Sequence, residues 1–385
     1  MAIQNGRFFL YYKMSKVIII GAGPAGLACA GSLRKKNIPF VILEKSDTIA
    51  KSWVDHYDRL SLHTIKELSA LPHMPFSDDY PTYIPKNTLL DYYKDYCVNF
   101  EIRPIFNAQV KQISEDQNQW KVRCSNGQEY TSQTIIVCTG FNQVPYSPNF
   151  EGLESFEGSI IHSHTYKNPA QLTGKSVLVV GMGNSGAEIA LDLSLHNKET
   201  DISVRGPVNI VPRDFLGNPT QKTAKKLAIL PTFIGDRIGR LVQNISMGNL
   251  KKYGLEQAKL FPAQQLREYG KTPVIDLGTI AQIKKGRIKV QPEILKLSAK
   301  EVHFKNGTQK KYDHIILATG YRSKVESFAP FVKDHLNEQG HPNKLILRSQ
   351  GKNQACFVGF NAYASGLLES IHEQAIELAE ILSNR

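Results

Sequence analysis

A glycine-rich turn between two short apolar runs near the N-terminus constrains this chain most. The runs are Val17–Ile20 and Phe40–Leu43, and between them Gly21, Gly23 and Gly26 follow the G-x-G-x-x-G spacing. Short apolar runs of this kind fit strands that are buried on both faces. The pattern therefore predicts a strand, a tight turn and a helix, with backbone N–H groups that can approach a pyrophosphate at the helix N-terminus.

The second apolar run ends on an acid, Glu44, roughly 20 residues after the first glycine. A carboxylate at this place accepts hydrogen bonds from the two ribose hydroxyls of an adenosine. The glycine spacing alone is a weak signal, but the flanking strands and the acid make it specific. The alternative, a glycine-rich turn in a purely structural α/β unit, leaves Glu44 unexplained.

The same design is repeated further along the chain. A second apolar run precedes Gly181, Gly183 and Gly186, and the next predicted strand ends in Arg205, where the first unit has Glu44. A carboxylate repels a ribose 2′-phosphate, whereas a guanidinium grips it through paired hydrogen bonds. The first unit is therefore predicted to bind FAD and the second NADPH. The alternative for Arg205 is a solvated surface arginine.

The order of these segments predicts an α/β protein with two Rossmann-like dinucleotide-binding domains, the NADPH domain inserted in the FAD domain. The FAD-binding domain takes residues 14–147 and 309–385, and the NADPH-binding domain takes 174–308. Residues 148–173 form a linker, and 1–13 form an N-terminal extension that we expect to be functionally inert. Such an insertion brings the two cofactor crevices face to face, as hydride transfer requires.

Periodicity predicts further elements. A helix is expected at 87–100, strands at 110–114, 119–124 and 134–137, and later strands at 288–290, 301–304, 314–317 and 356–359, before a closing helix at 366–382. Asn126-Gly127 predicts a hairpin turn between the strands at 119–124 and 134–137, and Asn306-Gly307 predicts another.

A mainly helical insertion is predicted at about 212–269, beyond what a minimal nucleotide-binding domain needs. Apolar residues at helical spacing stand there beside Arg237 and Arg240: Phe233, Ile234, Ile238, Leu241, Val242 and Ile245. We favour a helix that packs on the NADPH domain or caps the active site, and the alternative is weak peripheral association with a membrane surface. No stretch reaches the ~20 apolar residues of a membrane span.

Composition narrows the class of protein. Lys and Arg number 47 against 35 Asp and Glu, a net charge of +12, but they are spread along the chain without the aromatic and basic repeat of a nucleic-acid binder. We therefore expect the charge to attract polyanionic cofactors rather than nucleic acid. The five cysteines form no C-x-x-C pair and no metal-ligand spacing, which disfavours disulfide reductases and predicts buried free thiols in the cytoplasm. The oligomeric state stays open.

The linker between the two glycine turns carries a known motif. Phe156, Gly158, His162 and Tyr166 match the F-x-G-x-x-x-H-x-x-x-Y/F pattern of class B flavin monooxygenases in their flavin-containing form. Baeyer–Villiger enzymes typically carry Trp at the position of Tyr166, so the resemblance disfavours that subfamily. Within the class, the chain resembles the YUCCA group of indole-3-pyruvate monooxygenases.

The resemblance to the YUCCA group covers roughly residues 15–330. It rests on the segments 39–44, 57–63, 71–76, 271–278 and 317–323. The chain departs from the group at 64–65, where those proteins usually have a Leu-Pro pair, and in a shorter C-terminus. Because the departures lie near segments that could line a substrate cavity, the resemblance supports the family better than the substrate.

The resemblance implies a cycle in which NADPH reduces FAD and the reduced flavin takes up O₂ as a C4a-(hydro)peroxide. The peroxide would deliver oxygen to a small-molecule substrate, and with an aryl-pyruvate-like 2-oxo acid the adduct would lose CO₂. One alternative is N- or S-oxygenation of a soft nucleophile by the same chemistry. An alternative of another class is an NADPH-responsive flavoprotein regulator or an uncoupled NADPH oxidase. In each monooxygenase hypothesis the protein orients the substrate and the cofactors and excludes water from the flavin.

Candidate site residues follow from the glycine turns and from the resemblance. For FAD they are Gly21, Gly23, Pro24, Ala25, Gly26, Glu44, Lys45, Ser52, Trp53, Leu62, His63, Val110, Thr139 and Gly140. For NADPH and the matching later turn they are Gly181, Gly183, Asn184, Ser185, Gly186, Arg205, Ala318, Thr319 and Gly320. Candidate contacts for a substrate carboxylate or the flavin are Arg59, His63, Lys66, Arg213, Lys271 and Arg322. We expect His162 to organise the linker rather than to take part in chemistry.

Overall fold

The computed structural model describes residues 16–116, 118–227, 229–338, 340–342, 345–348, 353–360 and 366–384. The predicted N-terminal extension, residues 1–13, lies outside them. Contacts divide the chain into two compact units. The first unit comprises Met1–Val54, Thr64–Val144 and Tyr321–Arg385, and the second comprises Asp55–His63 and Pro145–Gly320.

The strands are numbered in chain order. They are β1 Val17–Ile20, β2 Phe40–Leu43, β3 Val110–Asp116, β4 Gln119–Cys124, β5 Glu129–Ser132, β6 Thr134–Val137, β7 Val144–Pro145, β8 Ser159–His162, β9 Ser176–Val180, β10 Glu199–Ser203, β11 Ile210–Pro212, β12 Asp214–Phe215, β13 Asn218–Pro219, β14 Val274–Asp276, β15 Ile288–Gln291, β16 Ile294–Leu297, β17 Glu301–Phe304, β18 Gln309–Lys311, β19 His314–Leu317, β20 Tyr321–Arg322, β21 Ile346–Arg348 and β22 Gln354–Phe357. The predicted bounds of β1, β2, β4, β6, β17 and β19 are confirmed.

The α-helices are numbered in the same way. They are α1 Pro24–Lys35, α2 Lys51–Val54, α3 Lys86–Asn99, α4 Asn184–Leu195, α5 Thr220–Leu227, α6 Thr232–Met247, α7 Pro262–Tyr269, α8 Thr279–Lys284 and α9 Leu367–Ser383. Short 3-10 helices occur at Lys66–Leu68, Leu153–Ser155, Pro169–Gln171, Lys251–Tyr253, Val325–Ser327 and Pro330–His335.

The first unit is built on a five-stranded sheet in the order β2-β1-β6-β22-β21. The first four strands are parallel and β21 is antiparallel to β22. β1 and β6 are buried along their whole length, as their unbroken apolar runs predict. α9 packs along α1, and α1 also meets α3 at Gly31, where an added Cβ would lie 2.0 Å from the hydroxyl of Tyr96. Small residues on α1 thus allow close packing around the first glycine turn.

One predicted connection in the first unit is wrong. Asn126-Gly127 turns from β4 into β5, a strand that the sequence analysis did not identify, and β6 joins the parallel sheet instead. β5 is short, polar and only alternately buried, whereas β6 is an apolar run buried throughout. The antiparallel sheet β3-β4-β5 is tied to the parallel sheet by Trp120, whose indole N–H donates to the carbonyl of Gln354 at 3.0 Å.

The second unit is built on an all-parallel sheet in the order β15-β10-β9-β19-β8. The predicted domain boundary differs from this arrangement, because β19 lies between β9 and β8 rather than in the first sheet. Residues 309–320 and the predicted linker therefore belong to the second unit. The sequence could not assign β19, since its fully buried apolar run fits the interior of either sheet.

The insertion at about 212–269 is mainly helical, as predicted, and contains α5, α6 and α7. α6 packs on β11, but it does so with the face opposite to its apolar stripe: Asp236, Gln243 and Met247 are its buried residues. Across the described residues, no helix combines the length and the apolar character needed to cross a bilayer.

All five cysteines are free thiols, as the sequence predicts. Cys29, Cys124, Cys138 and Cys356 are buried, and Cys97 is half-buried. Burial raises the pKa of Cys97 and of Cys124 to about 11, so both stay protonated at neutral pH. None is poised as a thiolate nucleophile by a neighbouring cation among the described residues.

Candidate functional site

The first glycine turn and its acid, here named the first cradle (Gly21, Gly23, Gly26 and Glu44), admit no larger side chains at two positions. A Cβ on Gly26 would lie 1.9 Å from the carbonyl oxygen of Gly21, and a Cβ on Gly21 would lie 2.8 Å from that of Cys138. Gly21 also has φ +102°, which L side chains rarely adopt. Gly23 faces open space at the N-terminus of α1, where no side chain caps the helix. The free helix-end N–H groups fit a pyrophosphate.

Glu44 is part of the hydrogen bonding that holds the first cradle together. Its side chain is nearly buried, at 7% exposure. Oε2 accepts from the backbone N–H of Ala22 at 2.7 Å, and Oε1 accepts from Ser46 N at 2.9 Å and Ser46 Oγ at 2.7 Å. A carboxylate has about four acceptor sites, so capacity remains for a ribose hydroxyl. The acid is fixed in place by the fold before any ligand binds.

Two backbone hydrogen bonds bring the other predicted FAD contacts of the first unit to this cradle. The N–H of Ala50 donates to the carbonyl of Ala22 at 3.0 Å, and that of Ala108 donates to the carbonyl of Glu44 at 2.8 Å. Pro24 and Ala25 begin α1 and Lys45 follows Glu44, whereas the two bonds hold near the cradle the segments that carry Ser52, Trp53 and Val110. Residues far apart in sequence thus meet around one turn.

The turn after β6 is held by a residue that sequence reasoning missed. The side-chain amide of Gln143 donates to Thr139 Oγ1 at 2.6 Å and to the carbonyl of Gly140 at 2.9 Å. Gly140 has φ +66° and faces open space. The arrangement leaves room for a ligand beside the backbone of this turn.

The second glycine turn with its base, here named the second cradle (Gly181, Gly183, Gly186 and Arg205), repeats the geometry of the first. A Cβ on Gly186 would lie 1.9 Å from the carbonyl oxygen of Gly181, and a Cβ on Gly181 would lie 2.6 Å from that of Ala318. Gly181 has φ +108°, and Gly183 faces open space. The same backbone constraint therefore shapes both cradles.

Arg205 lies two positions beyond the last residue of β10 and is exposed. It forms no hydrogen bond or ion pair with any residue that the structure describes. Its five N–H donors are thus available to a ligand. A guanidinium placed beyond the strand next to a glycine turn suits a ribose 2′-phosphate.

Asn184 joins the second cradle to the segment at 271–278. Its Oδ1 accepts from Ile275 N at 2.7 Å, and its Nδ2 donates to the carbonyl of Pro273 at 3.4 Å. Asp276 then accepts from Ile280 N at 3.0 Å at the start of α8, and burial raises the pKa of this carboxyl. The side chain of Asn184 is therefore occupied by the fold, while Ser185, beside it at the start of α4, stays half-exposed.

The turn after β19 matches the turn after β6 and is organised by His162. Nε2 of His162 donates to the carbonyl of Gly320 at 3.1 Å, and Nδ1 accepts from His164 N at 3.1 Å. The hydroxyl of Thr319 donates to the carbonyl of Tyr146. Burial lowers the pKa of His162, which keeps the ring neutral. These contacts support the predicted organising role, and the backbone of Ala318 and Thr319 lies beside Gly181.

The other motif residues of the linker also have structural roles. Phe156 is buried in the core of the second unit, and a Cβ on Gly158 would lie 2.5 Å from its ring. Tyr166 is fully buried, and its hydroxyl donates to Asp192 Oδ2 at 2.8 Å. The motif is thus explained by packing and hydrogen bonding within the second unit.

The predicted FAD-binding domain includes residues 55–63, but these residues belong to the second unit. Two buried carboxylates of α4, here named the carboxylate pair (Glu188 and Asp192), hold this segment. Glu188 Oε2 accepts from the hydroxyl of Tyr57 at 2.7 Å and lies 2.9 Å from His63 Nε2. Arg59 lies 3.9 Å from Glu188 and 3.5 Å from Asp192. The sequence signal for this attachment was a pair of acids one turn apart on a helix whose other residues are mostly small or apolar.

This attachment fixes the predicted flavin contacts Leu62 and His63. Leu62 is 4% exposed, and the side chain of His63 is 16% exposed. The segment is further tied to the linker, since Asp58 N donates to the carbonyl of Lys167 at 2.9 Å. His63 therefore has a protein partner of its own, and a role with flavin or substrate stays a prediction.

Lys66 is occupied by backbone carbonyls. Its ammonium group donates to the carbonyl oxygens of Ser77 at 3.1 Å, Asp78 at 2.7 Å and Tyr80 at 2.7 Å. These contacts use the three donors of the ammonium group. Lys66 therefore holds a loop and is disfavoured as a partner for a substrate carboxylate.

The remaining candidate cations differ in how far they are occupied. Arg59 faces the carboxylate pair, Arg213 pairs with Asp214 at 3.1 Å, and Arg322 donates to the carbonyl of Tyr321 at 3.1 Å. Lys271 is exposed and has no hydrogen bond or ion pair to any residue in the described part of the chain. Lys271 thus differs from the other four candidate cations in having no partner among the described residues.

A cavity of about 630 Å³ lies where β11 meets the insertion of the second unit. Its walls include Val208, Ile210, Gln243, Met247 and Leu255. The residues that line it include none of the predicted site residues. Sequence reasoning gave no sign of this cavity, because its walls come from segments that are separate in the sequence.

Known proteins are similar to this chain over most of its length. The sequence profile of a family described as flavin-binding monooxygenase-like matches residues 14–350. The probable indole-3-pyruvate monooxygenase YUCCA3 of Arabidopsis thaliana is 39% identical over 337 residues, which cover 84% of this chain and 77% of that protein. The indole-3-pyruvate monooxygenase YUCCA1 of Oryza sativa subsp. japonica is 37% identical over 352 residues, covering 89% and 86%.

The fold is also found among solved structures. The flavin-containing monooxygenase from Stenotrophomonas maltophilia superimposes with a TM-score of 0.73 and 19% identity, covering 97% of this chain and 99% of that chain. At this identity the similarity supports the fold alone.

Proposed function

We propose that this chain, which belongs to the flavin-binding monooxygenase-like family, oxidatively decarboxylates an aryl-pyruvate-like 2-oxo acid. The protein is an NADPH-dependent flavin monooxygenase that uses FAD. The observation that supports the substrate class is the identity of 36–40% to indole-3-pyruvate monooxygenases over most of the chain. The indole-3-pyruvate to indole-3-acetate reaction is the specific case that we favour.

When bound, FAD supplies the activation of O₂ with electrons from NADPH. The chain's own residues then bind and orient. The helix ends at Gly23 and Gly183 would receive the two pyrophosphates, and Glu44 and Arg205 would select a free ribose hydroxyl and a 2′-phosphate respectively. The flavin–oxygen adduct that the resemblance implies stays a prediction.

For the substrate, we assign the carboxylate to Lys271. This residue lies two positions before Pro273, whose carbonyl accepts from Asn184 in the helix that opens at the second cradle. The segment is therefore anchored beside the second cradle, which we propose to bind NADPH, and its ammonium group is exposed. A charge-assisted hydrogen bond of this kind contributes about 1.5–3 kcal/mol to binding.

Product analysis tests the substrate class. Purified holoenzyme is incubated with NADPH and, separately, indole-3-pyruvate, phenylpyruvate or trimethylamine, and products are identified by LC–MS. We expect the 2-oxo acids to lose CO₂ and gain oxygen, with NADPH consumed in proportion to product. If only the amine gains oxygen, the substrate class is wrong. If NADPH oxidation is coupled to no product, the chain acts as an oxidase or regulator.

A single substitution tests Lys271. Lys271→Met is expected to raise the KM for the 2-oxo acid by about 10- to 100-fold and to leave the KM for NADPH unchanged. Lys285→Met, at another exposed lysine of the second unit, serves as the matched control. A rise in the KM for NADPH instead would assign Lys271 to the cofactor, and no change in either would remove it from the site.

A further inference from the structure

Helix α6 is amphipathic, but it buries its polar face and exposes an apolar one. Its buried residues are Asp236, Gln243 and Met247. Four of its apolar side chains, here named the α6 stripe, are exposed: Phe233 at 60%, Ile234 at 37%, Leu241 at 58% and Ile245 at 64%. A surface helix normally buries its apolar stripe and exposes its polar face. The α6 stripe is therefore unexplained by the fold of the second unit.

Specific hydrogen bonds hold the polar face of α6 inward. Gln243 Nε2 donates to the carbonyl of Ile210 at 3.0 Å. Arg267 forms a bidentate salt bridge with Asp236, in which its two terminal nitrogens donate to Oδ1 at 3.2 Å and to Oδ2 at 2.6 Å. Arg240 donates to the carbonyl of Leu260 at 2.7 Å. Rolling the helix to bury the stripe would break all of these contacts. The outward direction of the stripe is thus built into the fold.

The turn before α6 extends the apolar surface. Ile229 is 86% exposed and Leu230 is 39% exposed. This turn is fixed against the helix, since Leu230 N donates to the carbonyl of Leu227 at 3.1 Å and a Cβ on Gly235 would lie 3.0 Å from the same oxygen. The turn and the stripe together form one apolar edge. Apolar residues scattered singly over a surface need no explanation, whereas a group of this kind marks an interaction site.

The charged residues around this edge are almost all basic. From Thr220 to Lys252 the sequence holds seven lysines and arginines against one acid. That acid, Asp236, is buried and paired with Arg267, so it does not oppose the surface charge. Lys226 is exposed at the end of α5, and the Arg237 guanidinium lies 5.9 Å from the Phe233 ring centre on the exposed side of α6.

We propose that the α6 stripe and its basic surround dock on an anionic lipid bilayer. An exposed apolar stripe flanked by cations is the pattern of helices that lie in a membrane interface, with the apolar side chains inserted among the acyl chains. Each lysine or arginine near such a surface adds attraction to anionic headgroups. The charge of the surface decides the occupant. A two-fold contact with a second copy would set the same patch against itself and bring Lys226 and Arg237 towards their own counterparts.

Vesicle sedimentation of the purified holoenzyme tests the proposal. The vesicles are phosphatidylcholine alone, or phosphatidylcholine with about 30% phosphatidylserine. We expect sedimentation with the mixed vesicles, little with the neutral ones, and a decline as salt is raised. Equal sedimentation with both kinds would contradict the role of the basic residues, and none with either would refute the docking surface.

Three variants separate the contributions. The triple variant Phe233→Ser, Leu241→Ser and Ile245→Ser should lower the vesicle partition coefficient about 100-fold. Lys226→Glu with Arg237→Glu should lower it at least about 30-fold. The matched control is Val98→Ser, at a residue that is 79% exposed on α3, and it should change the coefficient less than about twofold.

All the substituted residues are exposed, so we expect each variant to fold normally. Flavin content and thermal unfolding check this. Light scattering without vesicles examines the competing occupant. If the wild-type protein dimerises and the triple variant is monomeric, a second copy covers the stripe and the proposal is wrong. If both stay monomeric while only the wild type sediments with anionic vesicles, the lipid surface is the occupant.

Discussion

The two cradles have nearly the same backbone but differ in their last residue. In each, a Cβ on the third glycine would lie 1.9 Å from the carbonyl of the first, at Gly26 and at Gly186. In each, the first glycine has φ above +100° and touches the turn after a neighbouring strand. Glu44, however, is buried and bonded to Ala22 and Ser46, whereas Arg205 is exposed and has no partner among the described residues.

The comparison separates what the fold requires from what the ligand requires. The glycines are fixed by backbone contacts, so both cradles need them whatever they bind. Glu44 is bonded within the fold and is also proposed to bind the ligand, while Arg205 is proposed to serve the ligand alone. Substitutions at matched positions should therefore have different consequences for folding and for binding.

Adding one methyl group to the third glycine of a cradle should have the largest effect on cofactor binding. Gly26→Ala is expected to abolish FAD retention, because the 1.9 Å contact with Gly21 forces the turn apart. Gly186→Ala should keep FAD and lose NADPH-driven flavin reduction. Absorption spectra of the purified proteins measure both.

Gly23→Ala and Gly183→Ala are the controls for this effect, since a Cβ there meets no protein atom within 4 Å. Both controls should fold normally and weaken only the corresponding nucleotide. If Gly186→Ala also came out without flavin, the cradles would not be independent and the comparison would fail.

Reversing the charge at Arg205 should have the next largest effect. Arg205→Glu is expected to raise the KM for NADPH about 100-fold and to shift preference towards NADH, since a carboxylate repels the 2′-phosphate. Steady-state kinetics with both nucleotides measure the shift. Arg287→Glu, at another exposed arginine of the second unit, should leave the preference unchanged. An unaltered preference in Arg205→Glu would remove Arg205 from the cofactor site.

Neutral substitutions at the two distinguishing residues should separate their structural roles. Glu44→Gln is expected to lower the free energy of unfolding by about 1–3 kcal/mol. The reason is that the NH2 group of the glutamine cannot accept a hydrogen bond, so either Ala22 or Ser46 loses its acceptor. Arg205→Gln should change it by less than about 0.5 kcal/mol. Urea unfolding of the apoprotein measures both, and equal effects would contradict the division between fold and ligand.

The smallest expected effect is a pH dependence from His162. Burial lowers its pKa in the folded state, so the unfolded chain binds more protons as the pH falls. Its contribution to stability is therefore complete above the ordinary histidine pKa of about 6.5 and is lost as the pH falls below it. Between about pH 7.5 and pH 5, stability should decline less steeply in His162→Asn than in the wild type. An unchanged slope would mean that the ring is not held neutral.

Both cradles could be predicted from sequence because their signals are local. The apolar runs of β1 and β9, the glycine spacing and the residues at 44 and 205 all fall within short windows of the chain. Tight turns of this kind depend on which residues can adopt a positive φ, and only glycine does so readily. The hairpin at Asn306-Gly307 and the closing helix α9 were predicted for similar local reasons.

Features that depend on distant partners could not be predicted. The sheet that β19 joins, the attachment of 55–63 to Glu188, and the role of Gln143 each depend on contacts outside any short window. For α6, the spacing predicted a stripe but not the direction it faces, because Asp236 finds its partner Arg267 more than 30 residues away. Hydrophobic periodicity defines a face of a helix, and tertiary contacts decide where that face points.

The central claim is that one geometry was adapted to two nucleotides by an acid in one cradle and a base in the other. Anaerobic mixing of the purified enzyme with NADPH or with NADH, followed by loss of the flavin's visible absorption, tests it most directly. We predict a yellow protein that NADPH at limiting concentration reduces about 100-fold faster than NADH, with the difference lost in Arg205→Glu. A protein that binds no flavin, or one that both nucleotides reduce equally, would contradict the account.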